Sequence, residues 1–177
     1  QLAENDHHGY ARLMGAASVF ETSPAGLRAD KEVALAAVAQ DGRALEHASE
    51  ALKTDKEFVL GAVAAVESKA VADVLKWASV ALRADKEVVL AAVAQDGGAL
   101  RHASETLQTD PEVLQAAKKE LLVRLTAEAE KQNWNGKRGF FPSLQTVPNA
   151  LGADRDFMLA AVALSPYALE QASEALL

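Results

Sequence analysis

The stretch that decides the fold is Leu82–Leu107, LRADKEVVLAAVAQDGGALRHASETL, which nearly repeats Leu27–Leu52, LRADKEVALAAVAQDGRALEHASEAL. Only four of the 26 aligned positions differ. A unit copied this closely is typical of a repeat protein, in which each unit gains its stability from the neighbours it packs against. The duplication therefore predicts an array of small stacked units.

The start of the unit recurs along the chain as a Leu followed three residues later by an Asp. These starts are LRADKEV at Leu27, LKTDKEF at Leu52, LRADKEV at Leu82, LQTDPEV at Leu107 and LGADRDF at Leu151. Their spacing predicts a single helical-repeat domain over 1–177, with repeats at 27–51, 52–81, 82–106, 107–150 and 151–175. A half repeat over 6–27 is expected to precede them, with its first helix at 6–19, because FETSPAGL at Phe20 matches LQTVPNAL at Leu144.

Each repeat carries the signals of two short helices. An Asp stands where the N-cap of the first helix belongs, since its carboxylate can accept the free amide hydrogens of the first turn. These residues are Asp30, Asp55, Asp85, Asp110 and Asp154. Pro111 supports this register, because Pro is favoured at the first helical position. Helices this short are marginal alone in water, so the pattern predicts an all-α fold of hairpins, about 25 residues each, stacked as an α-solenoid.

The ends of these helices are also predicted. Gly42 and Gly97 are expected to end the first helix at a positive φ. Leu45, Ala48 and Leu52 have the spacing of one side of a second helix. In repeat two, five extra residues are expected between the helices, around 67–73. Repeat four is expected to have a long first helix from Pro111 to about Lys131, an insert at 129–141 and a second helix from Pro142 to Asn149.

Composition narrows the classes of function. A net charge of −7 and a pI near 5.1 argue against nucleic-acid binding and favour neutral or locally basic protein partners. The longest uncharged run, Phe58–Val66, is about half of the roughly 20 residues that a membrane span requires. No Cys is present, so disulfides and thiolate sites are excluded. We expect a soluble intracellular or organellar protein whose targeting segment is not in view, within a chain that continues beyond these residues.

Histidines are the first candidates for a ligand site. His47 and His102 occupy equivalent places in repeats one and three, where paired imidazoles can ligate a metal or a pigment. In the other repeats this position is occupied by Trp77, Thr146 and Gln171. That variation favours a partly exposed position of no fixed chemistry. His7 and His8 lack further ligands at zinc spacing, so no metal or cofactor is expected.

The residues that could suggest a catalytic site are better explained by roles in helix capping and packing. The Asp-Lys-Glu triplets suggest acid–base chemistry, but a helix cap and a partner for the helix dipole account for the acidic residues. Ser49 and Ser104 lack a base and an orienting acid, and small residues beside Ala are typical of helix packing. We therefore expect no catalytic residue and no small-molecule substrate.

The repeat pattern resembles a known family. The residues that carry the likeness are Asp85-Lys86-Glu87-Val88-Val89-Leu90, followed by Ala99-Leu100 and Ala103-Ser104-Glu105. This pattern resembles the DUF4116 repeat family, whose function is unknown, and the resemblance covers most of the chain. Repeat four departs from it by the long helix and insert, and repeat five by Ser165-Pro166 in place of Asp-Gly. The resemblance implies a helical array without catalytic residues.

The insert, AEKQNWNGKRGFF, is the one segment that the repeat does not predict. It combines turn-forming residues with aromatic and cationic side chains, and Trp, Phe and Arg are enriched in interface hot spots. The candidate partner-binding residues are Trp134, Lys137, Arg138, Phe140 and Phe141. The alternative is that the aromatic side chains fold back and cover the end of the long helix.

These observations favour a non-enzymatic protein–protein interaction module, such as a soluble peripheral subunit or scaffold of a larger assembly. Solenoids commonly bind partners through inserts on one face. The alternative is the recognition arm of a longer enzyme or effector whose catalytic part lies outside these residues. A third class, a pigment or cofactor carrier, predicts visible absorbance in the purified protein.

Overall fold

The computed structural model describes residues 16–131, 142–165 and 168. The described residues form helices joined by short connections, and no β-strand occurs among them, which confirms the predicted all-α class. The chain forms two compact units, Gln1–Arg83 and Ala84–Leu177, whose boundary falls two residues after the predicted start of repeat three. The predicted boundaries of the individual repeats stay a prediction.

The helices of both units are mostly short. The first unit contains α1 (Ala16–Glu21), α2 (Ala25–Ala29), α3 (Lys31–Gln40), the 3-10 helix η1 (Gly42–His47), α4 (Glu50–Thr54), α5 (Lys56–Ala65), α6 (Ser68–Trp77) and α7 (Val80–Arg83). The second unit contains α8 (Lys86–Gln95), η2 (Gly97–His102), α9 (Glu105–Gln108), α10 (Pro111–Lys131), η3 (Pro142–Thr146), α11 (Asn149–Gly152) and α12 (Arg155–Leu164).

The predicted Asp caps open the first helix of every repeat. Asp30 Oδ1 accepts the amide hydrogens of Glu32 and Val33, both at 3.0 Å. Asp55 Oδ1 accepts that of Phe58 at 3.0 Å. The same side-chain cap occurs at the other three repeats, where the residues are Asp85, Asp110 and Asp154. Each cap satisfies amide groups that a helix start leaves without an intrahelical partner.

The core of each unit forms where the first helices of consecutive repeats pack together. In the first unit α3 packs on α5, and in the second α8 packs on α10 and α10 on α12. The 3-10 helices add fully buried leucines, Leu45 from η1 and Leu100 from η2. Stacking of this kind supplies the apolar burial that a ten-residue helix cannot obtain alone.

The sequence predicts one continuous second helix in each repeat, but in repeats one to four the structure has two shorter helices in its place. In repeat one, η1 ends at His47, Ala48 and Ser49 are extended, and α4 begins at Glu50. The break has a local cause, because Ser49 Oγ accepts the amide hydrogen of Leu52 at 3.4 Å and so caps a new helix. Leu45 and Leu52 therefore share a buried side without sharing a helix.

The predicted role of the two glycines is wrong. α3 ends at Gln40 with Asp41 as its C-cap, and Gly42 begins η1. Gly42 lies against α6, where a Cβ would be 2.5 Å from the carbonyl oxygen of Ala70. Gly97 lies against α10, where a Cβ would be 2.7 Å from Leu121 Cγ. Close approach of two helices, rather than a positive φ, is what requires glycine here.

The irregular repeats also differ from expectation in their second halves. The extra residues of repeat two lie within α6, a ten-residue α-helix that takes the place of a 3-10 helix, rather than between helices. The second half of repeat four is η3 followed by α11, not one helix from Pro142 to Asn149. The long helix itself is confirmed, because α10 runs from Pro111 to Lys131.

Candidate interaction surface

A lysine of one repeat pairs with the capping aspartate of the next. Lys31 Nζ lies 2.5 Å from Asp55 Oδ2, and Lys86 Nζ lies 3.0 Å from Asp110 Oδ2. Because Oδ1 of each aspartate caps its own helix, the second oxygen remains for the lysine. Sequence reasoning explained the Asp of the Asp-Lys pair and missed the role of the Lys. The sequence indicates the pairing only through its spacing, because 24 residues separate Lys86 from Asp110 and also Lys31 from Asp55.

Repeat four keeps this pairing by another route. Pro111 occupies the position of the lysine and carries no charge. Lys118, two turns further along α10, pairs with Asp154 instead. The link to the following repeat is therefore preserved where the sequence of the unit changes.

The pairing has a consequence for acid stability. The Lys86 ammonium and the amide of Val113, both hydrogen-bonded to Asp110, hold the pKa of that carboxyl below its usual range. A carboxyl that is more acidic in the folded state stabilises the fold above its unfolded pKa of about 4, and this contribution is lost as the pH falls through the folded value. Asp110→Asn keeps an acceptor for the cap and removes the charge.

We expect Asp110→Asn to lower Tm at neutral pH and to lower it less near pH 2, because the wild-type carboxyl gains a proton as the pH falls through its folded pKa. Thermal unfolding followed by circular dichroism at the two pH values measures this difference. Glu105→Gln, at an exposed position on the neighbouring short helix, controls for a general effect of losing one negative charge. A Tm difference of the same size at both pH values would show that the ion pair is not its source.

A second link joins consecutive repeats through the backbone. The amide of Ser49 donates to the carbonyl oxygen of Arg28 at 2.9 Å, and the amide of Ser79 donates to that of Lys53 at 3.0 Å. Each bond connects the extended residue before one short helix to the short helix of the preceding repeat. The serines thus have a structural role. Ser104 Oγ lies 3.0 Å from Thr106 Oγ1, within its own short helix.

A polar cluster fixes α10 against η2. Asp96, only 3% exposed, accepts hydrogen bonds on Oδ1 from Arg124 Nη1 at 2.7 Å and from the amide of Gly98 at 3.0 Å. Glu120 Oε2 accepts the amide hydrogen of Gly97 at 2.6 Å. Burial raises the pKa of the Glu120 carboxyl, although the Gly97 amide and Arg124 oppose the shift. The long helix therefore supplies both a cation and an anion to one junction.

This junction explains a difference between the two nearly identical repeats. In repeat one, Asp41 is paired within its own turn by Arg43, whose Nη2 lies 2.9 Å from Asp41 Oδ2. In repeat three, Gly98 replaces that arginine, and Arg124 from α10 supplies the cation. A helix packs on the 3-10 helix in both repeats, and the source of the cation is what differs.

The opposite side of α10 is open and largely apolar. Val123 is 62% exposed beside a depression of about 410 Å³. The residues that line it include Leu122, Val123, Thr126, Ala127 and Glu130. The other side of α10 packs against the rest of the second unit. Leu125 is fully buried there, and Glu128 Oε1 accepts a hydrogen bond from Ser143 Oγ at 2.8 Å. We call the open side the α10 ledge; it is a helical surface with an apolar centre.

The predicted partner-binding residues Trp134, Lys137, Arg138, Phe140 and Phe141 lie outside the described residues. His7, His8 and most of the second half of repeat five also lie outside them. Sequence reasoning missed the ledge itself. The signal was Val123, an apolar residue on the side of the long helix away from Leu121 and Leu125.

The remaining histidine and aromatic positions have ordinary surroundings. His47 is half-buried, and its Nε2 lies 4.0 Å from Glu21 Oε2. The ring of Trp77, at the equivalent position, lies 4.7 Å from Lys76 Nζ. In the parts of the chain that the structure describes, no three His, Asp or Glu residues are arranged as metal ligands. None of the helices in those parts is both long and apolar enough to cross a membrane.

Comparison with known proteins identifies one family. The family described as "Domain of unknown function (DUF4116)" matches residues 30–83, 64–108 and 85–120, overlapping segments that together cover just over half of the chain. The first segment begins at a capping aspartate and ends at the last residue of α7. No curated protein and no solved structure matches the chain.

Proposed function

The chain belongs to the DUF4116 family, and from this premise we propose that it is a non-enzymatic protein–protein interaction module, a soluble peripheral subunit or scaffold whose repeats stack as an α-solenoid. The stacking is supported within each unit by the Lys–Asp pairs and by the packing of consecutive first helices. Such links repeat along an array because each unit contacts its neighbours in the same way.

The α10 ledge is the observation that carries the proposal. α10 has 21 residues, whereas the first helices of the other four repeats have ten. Its first turns are sufficient for stacking, since Lys118 already reaches Asp154. The second half, around Arg124 and Leu125, is anchored on one side and offers Val123 to solvent on the other. A side chain on a rigid helix loses little conformational entropy when it is buried by a partner.

The chemistry of the ledge indicates the kind of partner. Its centre is apolar, and Glu130 lies at its rim, in a chain of net charge −7. A protein surface with an apolar side chain at its centre and a neutral or basic rim would complement it. The insert residues, Trp134 and Arg138 among them, remain predicted partner-binding residues.

A matched pair of variants tests the proposal. Val123→Glu places a charge on the ledge, and Val80→Glu places one at a valine that is 73% exposed in the first unit. We expect both to change the free energy of unfolding by less than about 0.5 kcal/mol, because neither side chain is buried. When the tagged chain is cross-linked in native extract and its partners are identified by mass spectrometry, only Val123→Glu should lose the partner that wild type retains.

Equal partner recovery by both variants would contradict the use of the ledge. Leu125→Ala separates binding from folding, because it removes a fully buried side chain behind the ledge. That variant should lose about 2–5 kcal/mol of stability. Loss of the partner with Val123→Glu at unchanged stability is therefore the outcome that supports binding.

A further inference from the structure

Repeat one exposes apolar positions that every other repeat buries. Leu27 is 46% exposed and Val33 is 37% exposed. The residues aligned with Leu27, which are Leu52, Leu82, Leu107 and Leu151, are at most 8% exposed. Those aligned with Val33, which are Phe58, Val88, Val113 and Phe157, are at most 6% exposed. These positions in repeat one form an apolar stacking surface that none of the described residues covers.

The surface of repeat one is concave. A depression of about 240 Å³ lies between α1 and α3, and its lining includes Phe20, Val33 and Ala37. Ala37 is half-buried, whereas the alanines aligned with it in the later repeats are fully buried. We call this surface, formed by Leu27, Val33 and Ala37 with α1, the leading face.

Repeat five exposes the opposite set of positions. Leu159 is 54% exposed, whereas the leucines at the same position in repeats one to three are half-buried. Val162 is half-buried, whereas the aligned residues Val38, Val63 and Val93 are at most 1% exposed. In α3 and α5 these positions lie on the side away from Val33 and Phe58, as expected for positions two and five residues further along a helix. We call Leu159 and Val162 the trailing face.

The charges at the two faces also match. Asp30, at the leading face, holds the position at which Asp55 and Asp110 accept a lysine from the preceding repeat. Arg155, at the trailing face, holds the position of Lys31 and Lys86. Both residues are exposed, and among the ion pairs of the described residues none involves either of them. The series of inter-repeat pairs thus ends in an anion on one face and a cation on the other.

We propose that a second copy of this chain stacks its trailing face on the leading face, with Arg155 of one copy paired to Asp30 of the next. The apolar positions Leu159 and Val162 would cover Leu27 and Val33, as consecutive repeats cover one another within each unit. Such a contact is heterologous, so it can add further copies rather than stopping at a closed pair. It uses neither Val123 nor the rest of the α10 ledge and is independent of the function proposed for that surface.

Sedimentation velocity of the full chain tests the proposal. We expect the weight-average mass to rise continuously with concentration between about 1 μM and 1 mM, as for a small interface. Val33→Glu and Leu159→Glu should each weaken association about tenfold or more, because each buries a carboxylate in the contact. Both sites are exposed in the single chain, so circular dichroism should show an unchanged fold and Tm.

Mixing the two variants distinguishes this arrangement from a symmetric one. Val33→Glu retains an intact trailing face and Leu159→Glu an intact leading face, so an equal mixture should form pairs and nothing larger. In a symmetric contact between two leading faces, Leu159→Glu alone would associate as wild type does. That outcome would overturn the proposal.

The ion pair is tested without loss of the helix cap. Asp30→Ser keeps an N-cap oxygen, and Arg155→Gln removes the opposite charge. Each should weaken association about two- to fivefold at low salt, with no further effect when both are combined. A wild-type chain that stays monomeric up to about 1 mM would overturn the proposal. So would association unaffected by Val33→Glu and Leu159→Glu, and neither result would bear on Val123.

Discussion

Asp96→Ala is expected to lower the free energy of unfolding by about 3 kcal/mol, because it leaves the partly buried Arg124 guanidinium with only Glu120 as a partner and the Gly98 amide without an acceptor. The side chain of Arg124 is 25% exposed, so the loss lies at the lower end of the range for buried pairs. Urea unfolding of the full chain, followed by circular dichroism, measures it.

The equivalent residue of repeat one provides a matched control. Asp41 also caps a 3-10 helix, but its partner Arg43 is 64% exposed and belongs to the same turn. Asp41→Ala should therefore cost about 1 kcal/mol, the value of a lost cap. Asp96→Ala combined with Arg124→Met should cost less than the sum of the two single substitutions, because the two side chains share one ion pair. Equal losses for Asp41→Ala and Asp96→Ala would contradict the docking of α10 through this cluster.

Gly97→Ala is expected to destabilise the chain by about 2 kcal/mol, because the new methyl group has no space between η2 and α10. Its Cβ would lie 2.7 Å from Leu121 Cγ and 2.8 Å from the carbonyl oxygen of Ala117. The backbone oxygen cannot move without displacing α10, so the contact can be relieved only by separating the two helices. Overpacking of this kind costs about 1–3 kcal/mol.

Gly61→Ala is the control for that substitution. Gly61 lies within α5, and a Cβ there would have no atom within 4 Å. Alanine should therefore stabilise the helix by about 0.5–1 kcal/mol. The same chemical change is thus expected to have opposite signs at Gly61 and Gly97. A neutral or stabilising effect of Gly97→Ala would contradict the close packing of η2 against α10.

Local signals in the sequence were sufficient for the all-α class, the Asp caps and the extent of the long helix. A cap and its amide partners lie within three residues of one another, as at Asp55 and Phe58, so the sequence alone contains both. Pro111 and the apolar residues Val113, Ala117, Leu121 and Leu125 likewise define α10 without reference to other elements.

Features that depend on distant residues could not be predicted in the same way. Lys86 and Asp110 are 24 residues apart, and their pairing follows only from the stacking of two repeats. Gly97 resembles a helix terminator in sequence, yet its need for glycine comes from Leu121 on another helix. Val123 and Leu159 lie within apolar runs of their own helices, so the sequence alone does not mark them as exposed. Their importance comes from what the folded chain leaves uncovered.

The central claim, that the chain binds another protein through the α10 ledge, is tested most directly by site-specific photo-crosslinking. A photoreactive amino acid is placed at position 123 or, as the control, at position 80, and the full chain is irradiated in native extract. We predict one discrete protein adduct at position 123 that is lost when excess untagged wild type competes, and no such adduct at position 80. Absence of a competable adduct at position 123, or identical adducts at both positions, would contradict the claim.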